Sequence, residues 1–466
     1  MTMHEETLTR VAEGAATDRP AAAGTGERGR AVARYVSEFE RLDPLVSRDQ
    51  PAWLAEVRRS AIAKFSELGF PTTRQEAWRF TSVAPIVERT SALANDGLTS
   101  VGRDRIHQLT FEGTSALAVV VNGRFVPQLS SLSGLPAGVV VSSFTAALRS
   151  QPDVMERYLT RVASYQTHAF AALNTAFLDD GAFVWIPPHT VLAAPIQLLF
   201  VSTGRPDTTS VAHPRVLLVA GEHSQAQIIE RYAGVGDHLY FTNAVTEIVT
   251  ETDAVVDHYR LQAERAQSFH LGGMHLLAQR GSTFSSHSLT LGGSLVRNDV
   301  VATLTGEGID CTLNGLYLGG GTSLVDNHTT IDHATAHCGS HEVYKGILWG
   351  RARAVFNGKI IVRPDAQKTD AKQTNKALLL SDDAQINTKP ELEIFANDVK
   401  CTHGAAIGQL DDDAIFYLRT RGLSYDESRA MLIHAFAGDI TQRIKIPALR
   451  AELEATLDTQ LPQEVR

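Results

Sequence analysis

The chain has 466 residues, 43% hydrophobic and 20% charged, with a net charge of −9. That length allows two or three domains around a large core, and the acidic balance lacks the dense basic stripe that nucleic-acid binding needs. No apolar run approaches the roughly 20 residues of a membrane span, and the acidic start MTMHEETLTR is unlike a secretory leader, so a cytoplasmic protein handling small molecules, metals or other proteins is expected.

Residues 1–30, rich in Ala, Gly, Thr and charge, bury too little apolar surface to offset ordering and read as a disordered tail. A mainly helical domain is expected over 31–180. Within it Trp53, Val57, Ala61, Phe65 and Leu68 recur at helical spacing until Gly69 and Pro71 stop the run. Strand-like runs follow at 117–121 and 139–142, then a mostly helical stretch over 144–177.

At Gly181 the pattern becomes short, alternating, β-branched segments, and it stays so to 408. Turn signals recur at Gly221-Glu222, Thr252-Asp253, Gly281-Ser282, Gly306-Glu307-Gly308 and Cys338-Gly339. Their spacing, about 26 to 32 residues, is that of a repeat array. The expectation is a right-handed parallel β-helix over 181–408 whose rungs stack inward apolar residues; an antiparallel double sheet is the rival. A helical domain over 409–466 closes the chain. There the Asp411–Asp413 acidic run starts a helix that Gly422 ends. Ser424 and Glu427 form a capping box for a second helix carrying Leu432, Phe436 and Ile440 on one face, and Leu449, Leu453 and Leu457 mark a third.

Candidate chemistry is sparse. Three cysteines, Cys311, Cys338 and Cys401, with no C-x-x-C, fit reduced thiols and no disulfide framework. A cluster here needs histidine, carboxylate or a second chain to complete its ligands. In a strand, Cys401 and His403 share one face while Lys400 and Thr402 face the other, and a protonated His403 would favour the Cys401 thiolate; a small buried hydrophobe is the plainer reading of the thiol. His328, Asp332, His333, His337, Cys338 and His341 crowd a second segment, with His333, His337 and His341 sharing strand parity. Spacings of four along a strand separate ligands by more than about 10 Å, so this reads either as a polar solenoid flank or as the centre of a metal-dependent lyase or hydrolase. Gly319-Gly320-Gly321-Thr322 lacks a Walker lysine, and no G-x-S-x-G elbow exists.

Residues 326–422, including DNHTTIDHATAHCGSHEVYKG and ANDVKCTHGAAIG, resemble the SufB/SufD family of SUF-system proteins almost throughout. PTTRQEAWRFT at 71–81 and DDGAFVWIP at 179–187 resemble the family's N-terminal signature and the start of its solenoid. The resemblance implies a parallel β-helix between helical ends, a SufB–SufD heterodimer, and a SufC ATPase held at the C-terminal helices, for which Leu432, Phe436 and Ile440 are the docking candidates. It implies a transient iron-sulfur cluster at the interface with SufB, with His403 and Cys401 as iron ligands shared with the partner. VKCTHGA, and Leu418 where the SufB pattern has a cysteine, align the chain with the SufD-type branch. On that reading the chain is a scaffold with no ATPase of its own; a structural paralogue that only holds SufC is the further alternative.

Overall fold

The computed structural model describes residues 26–94 and 101–461. The tail expected over 1–30 falls largely outside them, but residues 27–30 are helical: they form the first turn of the helix Glu27–Val46. Its Val32, Tyr35 and Phe39 pack with Phe65 of the helix Ala52–Leu68 and with Phe177. Gly69 ends the second helix at φ +63, and its N–H reaches Phe65 O at 2.8 Å. Left-handed backbone there favours a residue without Cβ.

From Ala182–Ile186 to Lys400–Gly408 the chain winds as a parallel solenoid of about eight turns. Each turn contributes one strand to each of two sheets, one of eleven strands and one of ten. The repeat is legible in the register: Phe269 pairs with Leu295, 26 residues on, and Arg353 with Gln385, 32 residues on. Every ladder within this core is parallel, which rejects the antiparallel rival; among the described residues the antiparallel ladders arise where the N-terminal domain adds strands.

The predicted turns are the corners where one sheet hands over to the other. His223, Asp253, Gly281, Gly308, His337 and Lys368 all have φ between 55 and 72. Their corners bond rung to rung: His223 N–H to Thr252 O at 3.0 Å, Asp253 N–H to Arg280 O at 2.9 Å, Gly281 N–H to Glu307 O at 2.9 Å. Only two of the six are glycine, so the ladder's hydrogen bonds hold side-chain-bearing residues in a conformation that costs each about 1 kcal/mol.

Alternate residues of each strand point inward and build one apolar column after another. Ala226, Val256, Phe284, Cys311, Ser340, Ala371 and Cys401 succeed one another on a single column. The N-terminal helices cover the outer face of the eleven-stranded sheet around Leu217, Val219, Val249 and Leu277. Helices Tyr425–Thr441 and Pro447–Gln460 cover the outer face of the other sheet, on Leu261, Leu289, Leu316, Ile347 and Leu378.

The first turn of the solenoid is closed. Ala116–Val121 adds in parallel to Ile196–Thr203, and Val140–Ser143 pairs antiparallel to Ala182–Ile186. Beside it Glu247, wholly buried, accepts from the backbone N–H groups of Thr160, Val162 and Ala163 and from Arg215, whose Nη2 lies at 2.7 Å. The last turn has no such cover.

Candidate functional site at the open end of the solenoid

The strand Lys400–Gly408 is the last of its sheet and pairs only with Asp370–Leu379. Apart from Cys401, which is partly exposed, every residue in it is exposed. An open strand edge presents unpaired N–H and C=O groups and is a template for another chain. Natural edges are usually blunted by charge, yet here Gly404, Ala405, Ala406, Ile407 and Gly408 follow His403. Ile394 is 39% exposed, Phe395 65% and Ile407 49%, so the rim of this end is apolar.

Cys401 and His403 take the same strand parity, as the sequence spacing implies. Both sit on inward columns, Cys401 over Ala371 and His403 over Gln373. Nothing crowds the backbone beyond them: a Cβ built at Gly404 would meet no atom within 4 Å. Cys401 packs beside Ile360, Val362, Ala366 and Ala371, and burial pushes its pKa up, with Asp370 adding to the effect against a bond from the Ala371 backbone. In the isolated chain the group at neutral pH is therefore a thiol; a metal ion bound there would supply the positive charge that favours the thiolate.

The histidine-rich segment does not converge. The strand ends at His333, the corner carries His337 at φ 60, and His341 lies on the other sheet. The shared parity of these three is broken by the turn between them. His333 is buried in the interior against Ser340 Oγ at 2.9 Å. His328 faces outward, 3.0 Å from Asp326. Cys338 donates its S–H to Gly306 O. Among the described residues no three His, Cys, Asp or Glu side chains are placed to hold a metal ion.

The 71–81 segment lies across the outer face of the eleven-stranded sheet. Arg297 stacks 3.9 Å from the Trp78 ring centroid and donates to Asp326, which also accepts from Thr81 Oγ1 at 2.6 Å. Glu76 reaches Lys389 on the last strand of that sheet. A motif read only as a signature thus braces the turns next to the open end.

At the C-terminus both predicted capping bonds form: Glu427 N–H to Ser424 Oγ at 3.2 Å and Ser424 N–H to Glu427 Oε2 at 2.7 Å. Part of the docking face expected on this helix packs within the chain. Ile440 is fully buried against the solenoid. Phe436 packs on the same cluster beneath Lys345, whose Nζ also meets Asp439 at 2.5 Å. Leu432 is partly buried. Ile440, and in part Phe436, are thus taken up inside the chain. The apolar groups left in solvent are Phe416 at 68%, Tyr417 at 57%, Tyr425 at 49% and Met431 at 49%. Their signal was the adjacent Phe416-Tyr417 on a short helix, since neighbouring helical residues point in different directions and both cannot reach one core.

Comparison with known proteins agrees with this architecture. Residues 200–436 match the SufBD core domain of SUF-system FeS cluster assembly proteins, and residues 30–198 match the SufBD N-terminal region. A SufBD family iron-sulfur cluster assembly protein of Synechocystis is 34% identical over 417 residues, covering 88% of this chain and 91% of the relative. The iron-sulfur cluster assembly protein SufD of Escherichia coli is 31% identical over 400 residues, covering 85% and 91%. That of Bacillus subtilis is 24% identical over 436 residues, covering 88% and 95%.

Proposed function

Because the chain belongs to the SufBD family of iron-sulfur cluster assembly proteins, we propose that it is the SufD-type subunit of a cytoplasmic SUF scaffold complex, pairing with SufB through the open end of its solenoid. The single observation that carries this reading is the uncovered last strand, with Cys401 and His403 beside an apolar rim of Ile394, Phe395 and Ile407. Strand addition by a second solenoid would satisfy the edge and bury that rim. The nascent cluster is cargo, held at the junction. His403 supplies an exposed imidazole and Cys401 a thiol that becomes thiolate when iron binds, both suited to iron. The partner supplies the remaining ligands.

ATP hydrolysis belongs to the SufC partner in this proposal. Its dock is the face bearing Phe416, Tyr417, Tyr425 and Met431, since amphipathic helices commonly seat in a partner's groove. The helix Tyr425–Thr441 is tied to the solenoid by Lys345–Asp439 and the helix after it by Arg231–Glu452. A pull on this face would therefore be transmitted to the rungs.

The test is to purify the SufB–SufC complex with this chain carrying His403→Ala or Cys401→Ala, and to measure subunit ratio, melting temperature and iron together. Intact assembly with lost iron, most clearly for His403→Ala, is the expected result. Full iron loading would refute the ligand role. In the same assay Phe416→Ser with Tyr417→Ser removes SufC while SufB is retained.

A further inference from the structure

Buried polar groups occur along the interior of the solenoid, and one line of them reaches the open end. His403 stacks on Gln373 and Gln373 on Glu342, one turn apart each, a separation of roughly 4.8 Å per step. His403 is exposed, whereas Gln373 and Glu342 are each 1% exposed. One amide layer therefore separates a buried carboxyl from solvent.

That layer is built. Gln373 Nε2 donates to Glu342 Oε2 at 2.7 Å. Gly358 on the opposite sheet makes the room, since a Cβ there would lie 2.2 Å from Gln373 Nε2. On the same interior surfaces several atoms have no protein partner: Gln373 Oε1, Asn375 Oδ1 and Thr388 Oγ1. A buried polar atom left unpaired costs about 1–3 kcal/mol, and the usual resolution is ordered water with two to four polar partners. Such atoms beneath an open mouth offer partners to entering water.

We propose that water entering the open end joins the Glu342 carboxyl, through Gln373, to the space beside His403, making Glu342 a proton-exchanging group for that end. The carboxyl O–H bond breaks, the proton moves along water to a base arriving at the mouth, such as a thiolate or sulfide, and the carboxylate left behind is reprotonated from solvent by the same route. Burial, opposed by side-chain hydrogen bonds from Thr329 and Gln373, raises the pKa of Glu342 to about 7, so both forms are populated near neutrality. The titratable groups around it are Cys311 and Tyr344, which burial keeps protonated, and His333, lowered to about 4. None of them is hydrogen-bonded to its carboxyl. What the proton serves rests on the assembly reading; the path itself does not.

Infrared difference spectroscopy of the full chain alone tests the path. The protonated-carboxyl band of Glu342 should disappear between about pH 5 and about pH 9 and be missing in Glu342→Gln, which separates it from Asp180, itself raised to about 6 by burial. Glu342→Asp should keep a titrating band at a shifted midpoint. Gln373→Leu should keep the band but slow its exchange into heavy water about tenfold or more, because an apolar side chain offers that water no partner. A band that does not titrate, or that exchanges equally fast in Gln373→Leu, overturns the proposal whatever the iron content of the complex.

Discussion

The two ends of the solenoid are made of the same repeating turn and treat polar groups in opposite ways. On the two turns after the first, Arg215 and Glu247 are wholly buried, and Arg215 also reaches Asn174 and Thr175 while Asn174 spans to Pro214 O and Asn243 O. Every member is satisfied within the chain, and a helical domain seals the site. Toward the other end, Gln373, one turn in, keeps an unpaired atom and the final strand is bare. A closed polar network specifies one packing; an open one is completed by water or by another chain. The difference makes the covered end the stability anchor and leaves the other end open.

The comparison breaks most sharply at Arg215. Arg215→Met leaves Glu247 charged and buried with only backbone donors, and should cost about 3–5 kcal/mol by denaturant unfolding. His403→Ala at the other end, exposed and without buried methylenes, should cost less than about 1 kcal/mol. Equal costs would remove the contrast.

Glu342 gives the next largest effect, with a definite sign. Its pKa rises from 4.5 to about 7 on folding, so the native state binds more protons in that window. Its contribution is fully present below the unfolded value and is lost as pH rises through the folded one, about 3 kcal/mol in all. Melting temperature against pH should fall across that window in the wild type, and Glu342→Gln should flatten this fall.

Ser424→Ala removes a cap with both reciprocal bonds formed and should cost about 1 kcal/mol, read as a lower melting temperature. The smallest effect on the isolated chain comes from Phe395→Ser with Ile407→Ser. Both side chains are already in solvent, so stability should move within about 0.5 kcal/mol per site, while co-purification with SufB is lost. Retained SufB would separate the open edge from the partner interface.

Much of this was written in the chain. The 26–32-residue recurrence of turn signals gives the rung length, because each rung must cross two sheets and two corners before hydrogen-bonding its neighbour. The Ser424–Glu427 box and the Gly69 stop act within a few residues, and local signals of that range survive folding. The common parity of Cys401 and His403 follows from the two-residue period of a strand.

What tertiary structure alone decided is which surfaces are already occupied. Periodicity marks the stripe carrying Phe436 and Ile440 as apolar without saying what covers it, and the neighbouring sheet, distant in sequence, takes it. The same limit hides the thiol's environment: burial against Ile360 and Val362, about 40 residues away in sequence, and not the adjacent imidazole, raises the Cys401 pKa. Glu342 and Gln373 lie 31 residues apart and become neighbours only when one turn stacks on the next. A sequence records the period of each strand; the contacts between turns, which set burial, exist only in the stack.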